Sequence, residues 1–220
     1  MFYDTAKDDH GLKFNPFKAL VVPRPIGWIG SVSKAGVRNL APYSFFNAVS
    51  DTPPMVFFSS AGRKDSLANI LETGEFTCSM SNKALVDAMN LSSAGLAPDV
   101  DEFAVAGLTA APSRLIKAPW VAEAPSAFEC RLWKTIDMPA NKHGTCYTMV
   151  IGEVVGVHIN DAFIKDGMVD TAGMEPLSRM GYMDYSVVSR ESTFTLNRPT
   201  TDKDRRTAQV QPGPWDGVYR

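Results

Sequence analysis

Short apolar runs divided by turn residues recur along this chain, and only brief stretches carry the three-and-four spacing of an amphipathic helix. That pattern predicts a strand-rich molecule. Residues 1–17 follow neither period and read as an arm. Residues 20–22 form a short apolar run stopped by Pro23 and Pro25, and residues 26–32 resume as a strand with glycines at 27 and 30. A hairpin turn at 34–37 leads into a strand over 38–47, and another strand follows Pro53 and Pro54 over 55–59. Residues 67–72 have helical spacing, with Asp65 or Ser66 as N-cap and Gly74 as the stop. Glu75–Met80 places Phe76, Cys78 and Met80 on one face of a half-buried strand, and Ser81 caps a short helix through Met89.

From residue 90 to 119 the composition shifts to Ser, Ala, Gly and Pro, a long excursion of the kind that is functional or mobile in a compact domain. Strand character returns at Trp120–Val121 and at 127–135. The longest run, 145–159, is interrupted by Gly152 and Gly156, which fit bulges or bends in a closing barrel better than a helix. Residues 170–179 read as a loop and 182–196 as a last short helix or strand. This gives one domain over residues 1–196 and a tail over 197–220, too poor in apolar residues to build structure alone and therefore disordered or laid on a partner subunit.

Composition narrows the classes. With 45% hydrophobic and 21% charged residues, the 220-residue chain can fill one core. A net charge of -2 and a pI near 5.9 argue against nucleic acid or an anionic membrane as partner. The start of the chain has no basic segment followed by an apolar run, and no stretch reaches the length of a membrane span, so a cytoplasmic protein is expected. Cys78, Cys130 and Cys146 are odd in number and each lies in strand-like sequence, as free core thiols would. Strands that do not alternate with long helices exclude a doubly wound dinucleotide fold, and Gly27 and Gly30 lack the third glycine of its fingerprint.

Candidate chemistry is selective. His10, His143 and His158 stand far apart, without metal-ligand spacing, and no nucleophile elbow or Walker loop occurs. His143 reads as a loop histidine and His158 as a satisfied strand histidine. If the chain is an enzyme, a cofactor must bring the chemistry. Two stretches could hold one. In residues 38–46, Asn39, Tyr43 and Ser44 offer donors and acceptors beside Phe45 and Phe46, which is either a binding edge for a flat heteroaromatic ligand or a turn leading into a core strand. In residues 59–66, Gly62, Arg63, Lys64 and hydroxyls precede a helix start, which suits a phosphate or is an ordinary capped surface helix.

The ordered set of motifs resembles the flavin reductase-like, FMN-binding split-barrel family, nearest its flavoredoxin branch. It is carried by residues 24–33, 39–47, Arg63 to Ser66 with Asn69, 73–76, 101–108, 152–158 and 176–182, and covers roughly residues 15–200. The resemblance implies a mainly β fold, a six-stranded antiparallel Greek-key split barrel with a few flanking short helices, assembled as a homodimer with one FMN per subunit near the interface. It implies that Asn39 and Tyr43, Ser44, Phe45 and Phe46 run along the isoalloxazine edge, with Ser44 and backbone amides near its carbonyl oxygens and N5. Gly62, Arg63, Lys64, Asp65 and Ser66, with Asn69, would hold the phosphate. Trp28 and Arg24 either line the flavin pocket or support the barrel and the dimer.

The loop over 92–101 would fold over the flavin, from its own or the neighbouring subunit, and the tail would contact the other subunit through Trp215 and Tyr219. No side chain is assigned as catalytic, since the resemblance puts hydride transfer from NAD(P)H at flavin N5. The implied activity is an NAD(P)H-dependent flavin or small-acceptor reductase. Its alternatives are a flavoredoxin-like FMN electron carrier reduced by a protein partner, and a module that holds FMN without turnover.

Overall fold

The computed structural model describes residues 1–218. Seven strands form one antiparallel sheet: β1 (Gly27–Val32), β2 (Arg38–Tyr43), β3 (Phe46–Asp51), β4 (Pro54–Ala61), β5 (Glu75–Met80), β6 (Ser126–Asp137) and β7 (Tyr147–Ile159). Their spatial order is β2-β1-β5-β6-β7-β4-β3. The two edge strands are neighbours in sequence, because β2 ends at Tyr43 and β3 begins at Phe46. Three Cα steps span at most about 11 Å, so the sheet must curl until its edges nearly meet. A split barrel results.

The strand expected over 38–47 is thus two strands on opposite edges. Ser44 and Phe45 are the step between them, held by Ser59, whose amide donates to the Phe45 carbonyl at 2.8 Å. This one break raises the barrel from six rungs to seven. Residues 20–22 form no strand. Phe17–Leu20 is a single helical turn, and the buried Arg24 guanidinium takes up the carbonyls of Lys18, Val21 and, at 2.9 Å, Met180, leaving Leu20 and Val21 exposed. Arg24 therefore supports the fold. It lies in a small sheet of Arg24–Pro25, Leu177–Arg179 and Tyr185–Val187 packed against the barrel, where the sequence pattern suggests only a loop and an undecided element.

Alternation along the strands builds two cores. Ile29, Tyr43, Val56, Phe58, Phe76, Cys130 and Val150 fill the barrel together with Leu67 and Ile70 of α1 (Asp65–Thr73). On the outer face, Trp28 and Leu40 pack with Met89 of α2 (Val86–Leu91) and Phe103 of α3 (Glu102–Val105). Both faces of β1 and β5 are therefore covered, and β5 is buried from Phe76 through Ser79 rather than on one face. Gly152 stands at a bulge of β7, where a Cβ would lie 2.4 Å from the buried Phe76 ring. The glycine makes room for the aromatic.

Three local expectations change. Lys64, not Asp65 or Ser66, is the N-cap of α1, while Gly74 ends that helix in the left-handed conformation as expected. Asn82, not Ser81, caps the next helical segment, because its side chain accepts from the Leu85 amide. Cys146 is exposed, unlike Cys78 and Cys130, and all three thiols are free. In the tail, Thr200–Thr201 pairs with Ala208–Gln209 as a two-rung hairpin, with Phe194, Leu196, Val210 and Trp215 exposed. Tyr219 lies outside the described residues. No helix in the described chain is long and apolar enough to cross a membrane.

Candidate functional site

A cavity of about 560 Å³ opens where the barrel edges meet. One wall is the end of β2 and the step after it: Asn39, Ala41, Pro42, Tyr43, Ser44 and Phe45. Facing it are Ser59 and Ala61 of β4, then Arg63, Lys64, Asp65 and Ser66 at the start of α1. Residues 92–96 of the same chain form a third wall, and Lys18, Glu102 and Tyr147 complete the lining. The start of the 92–101 loop thus lies at the cavity of its own chain.

The α1 start is built for an anion. Gly62, at φ +74, turns the chain out of β4, its amide donating to the Cys146 carbonyl at 2.9 Å. The N-cap Lys64 is extended and makes no side-chain cap hydrogen bond, and its carbonyl accepts from the Ala68 amide at 2.9 Å. The amides of the first turn are left without a side-chain acceptor. Arg63 and Lys64 add exposed cations on the same side, and Asp65 sets one carboxylate among them. The net field favours negative charge.

Behind the cavity lies a buried polar network. The Asn39 amide donates to Ser66 Oγ at 2.9 Å and to Ser31 Oγ at 3.2 Å, and Asn69 Nδ2 donates to the same Ser31 oxygen at 3.2 Å. Asn69 therefore orients Asn39 and Ser66 from within and does not itself line the cavity. The Tyr43 ring packs on Phe58 at 4.6 Å, and its buried hydroxyl lies by Ser60 and Ser66 yet makes no hydrogen bond of good geometry. Burial pushes that phenol above its usual pKa. Glu102 is held by the Leu40 amide at 3.1 Å, and burial with nearby Asp65 and Asp101 raises its carboxyl above the usual range. On the far side Phe45 and Tyr147 form a tilted aromatic pair 6.0 Å apart.

Of the residues expected to hold a cofactor, Asn39, Tyr43, Ser44, Phe45, Arg63, Lys64, Asp65 and Ser66 are brought together here. Trp28, Phe46, Gly62 and Asn69 are not in the lining. Phe46 covers Gly27, where a Cβ would meet its ring at 2.5 Å, and Trp28 is wholly buried in the outer core. Lys18, Glu102 and Tyr147 went unnoticed in sequence because they stand far from the two motif stretches; only folding delivers them.

The flavin reductase like domain family matches residues 19–175. The chain belongs to this family. An uncharacterized protein of Halalkalibacterium halodurans is 36% identical over 191 residues, 84% of this chain and 90% of that one. The solved nitrilotriacetate monooxygenase component B of Bacillus cereus is 30% identical with a TM-score of 0.82, covering 89% of this chain and 98% of that one. The 2-nitrobenzoate 2-nitroreductase of Pseudomonas fluorescens is 28% identical with a TM-score of 0.78, covering 90% and 96%. The flavoredoxin of Desulfovibrio vulgaris is 25% identical with a TM-score of 0.69, covering 77% and 89%. Shared with them is the mainly antiparallel split-barrel fold of the flavin reductase-like family.

A second cavity, of about 600 Å³, lies near the other end of β7. There Glu129, 1% exposed, accepts from the Arg114 and Leu115 amides, both at 2.7 Å, and pairs with His158 Nε2 at 2.6 Å. Trp120 stacks on the His158 ring at 4.5 Å. Every one of these groups has a partner, which makes the cluster a clamp on the 112–120 segment.

Proposed function

We propose that the protein is an FMN-binding oxidoreductase, reduced by NAD(P)H and passing electrons to free flavin or a small acceptor. The observation that carries this is the uncapped α1 start with Arg63 and Lys64 facing the Tyr43 to Phe45 edge across one cavity. Phosphate chemistry suits one side. A planar, hydrogen-bonding ring suits the other, where Phe45 and Tyr147 give aromatic surface and Ser44 gives a polar contact. The donor set therefore fits FMN. Arg63, Lys64, Ser66 and the first-turn amides would hold the phosphate, with Asn39 bonded to Ser66 from behind and Asn69 bonded to the Ser31 hydroxyl that Asn39 shares.

When bound, FMN supplies hydride acceptance and electron delivery. The side chains bind and orient it, and no protein acid or base is required for hydride transfer. Arg63 anchors, the strand step presents Ser44, and the 92–96 wall limits access of water. The similarity to a nitroreductase supports a small acceptor, and the similarity to a flavoredoxin supports the carrier alternative.

The test is the visible spectrum of the purified protein with FMN, followed by anaerobic NADH and then NADPH. Bleaching at a catalytic rate with one nucleotide is expected. A flavoprotein indifferent to both would instead be a carrier with a protein donor, and failure to bind FMN would overturn the proposal. Arg63→Ala should raise the FMN dissociation constant about tenfold or more, as the loss of a charge-assisted hydrogen bond does; unchanged affinity in a fluorescence titration removes Arg63 from the phosphate site.

A further inference from the structure

Trp28 sits in the outer core with no exposed surface, away from the cavity, yet its indole N–H is aimed at a cavity wall. Nε1 donates to Ser92 Oγ at 2.9 Å, and that hydroxyl in turn donates to the Met89 carbonyl at 2.9 Å. Ser92 is itself buried, 2% exposed, and is the first residue of the wall formed by 92–96. Among the described residues, the next long-range side-chain bond to this segment is at its end, where Arg38 meets the Asp101 carboxylate at 2.6 Å and 2.7 Å. Between these points the backbone bonds are local: Ser93 to Asn90, Ala94 to Leu91, Leu96 to Ala94 and Val100 to Ala97. Among the described residues, none of these crosses the cavity to the barrel. The strap is a free-standing wall with two pins.

The pins are unequal. The Arg38–Asp101 pair has its arginine side chain about half exposed, at 49%, and exposed ion pairs contribute little. The Trp28–Ser92 bond is dry, and breaking it strands a buried indole donor with no water to replace the lost acceptor. The placement of the wall is therefore governed from the barrel side, through β1.

We infer that Trp28 is a positioning residue for the bound cofactor, which sets the 92–96 wall against the cavity through Ser92 without touching the ligand itself. This rests on the proposal that FMN occupies the cavity. Its consequence is that affinity for the ligand depends on a hydrogen bond formed in the core behind the wall. Trp28→Phe keeps the aromatic packing and removes the donor, while Ser92→Ala removes the acceptor.

The experiment combines FMN titration by fluorescence with limited chymotrypsin digestion of the FMN-free protein at Leu96. Each single variant should raise the FMN dissociation constant about tenfold, the usual scale for losing a buried hydrogen bond: Ser92→Ala orphans the indole donor, and Trp28→Phe frees the Ser92 hydroxyl from it. The double variant should be no worse than either single one, and all three should be cut faster at Leu96. Arg38→Ala should change affinity less than about threefold, as an exposed pair would, and Ser92→Thr, which keeps a hydroxyl, should restore affinity to Trp28-containing protein. A purely packing role would make the effects of the two substitutions multiply and would leave the Leu96 cut unchanged. Singles that bind FMN as tightly as the parent protein also overturn the inference. If the parent protein binds no FMN, the proposed function falls while the digestion still decides the pin.

Discussion

At the scale of the residue, burial decides what each polar group can do. Burial pushes both the Tyr43 phenol and the Glu102 carboxyl above their usual values, while Glu102 still accepts from the Leu40 amide. Glu129 goes the other way. Burial pushes its carboxyl up, but the Arg114 amide, His158 and the Leu115 amide together outweigh burial and hold it below the usual glutamate value of 4.5. A carboxyl lowered in the folded state gives up its proton there first, so its stabilisation is complete above about pH 4.5. It is lost as pH falls through the lower folded-state value. Glu129→Gln should lower stability by about 2 kcal/mol at neutral pH, the worth of hydrogen bonds to a charged group, and flatten the acid side of the unfolding curve. Urea midpoints between roughly pH 3 and 7 test this; equal acid slopes in the two proteins would show that the clamp does not titrate. Ser44, Phe45 and Arg63 were visible as candidates because residue type and neighbours carried the chemistry. Lys18 and Tyr147 carried no such local signal.

At the scale of the element, the start of α1 is the least ordinary feature. Helix caps are commonly Ser, Thr, Asp or Asn, and the sequence offered Asp65 and Ser66 for the role, yet the chain enters the helix one residue earlier, at Lys64. The hydroxyl of Ser66 is spent on the Asn39 amide instead, and the first-turn donors stay open toward the cavity. A helix end left uncapped is stability given up for binding. Lys64→Ser should therefore stabilise the FMN-free protein by about 1 kcal/mol relative to Lys64→Ala. It should also bind FMN more weakly than Lys64→Ala, because the new side chain competes for the same amides. Thermal melts and FMN titrations of the two variants check both halves; tighter binding by the serine variant would mean that the amides do not meet the phosphate. The strand over 38–47 was legible as extended chain, and the helix and its glycine stop were legible from spacing. The break at Ser44 and Phe45 was not, because both halves read as extended chain and nothing local says that they belong to opposite edges.

At the scale of the molecule, several large apolar side chains have no cover. Trp133 on β6 is 62% exposed, Val157 on β7 57%, and Phe194 and Leu196 before the tail hairpin 78% and 79%. We propose that a second copy of the chain covers part of this surface, giving a homodimer to which the 197–220 tail contributes. Light scattering across a concentration series should then give twice the chain mass. Removing residues 197–220 should weaken association at least several-fold, within the range expected for losing apolar interface anchors. A truncated chain that dimerises and binds FMN as well as the full one would take the tail out of the interface.

The sequence by itself determined the strand-rich class, the absence of a doubly wound fold, and the two stretches that carry the site's chemistry. These follow from local periodicity, glycine and proline placement, and the run of residue types, all written over a few neighbours. Only the tertiary structure decided that 38–47 is two edges of one barrel, that Asn69 works from behind Asn39 and Ser66, and that Trp28 acts on a wall through Ser92. Those facts depend on which strands meet across 27 to 64 positions of chain. Burial on both faces, which is what makes a lone hydrogen bond or an open helix end count, comes into being only when the sheet closes.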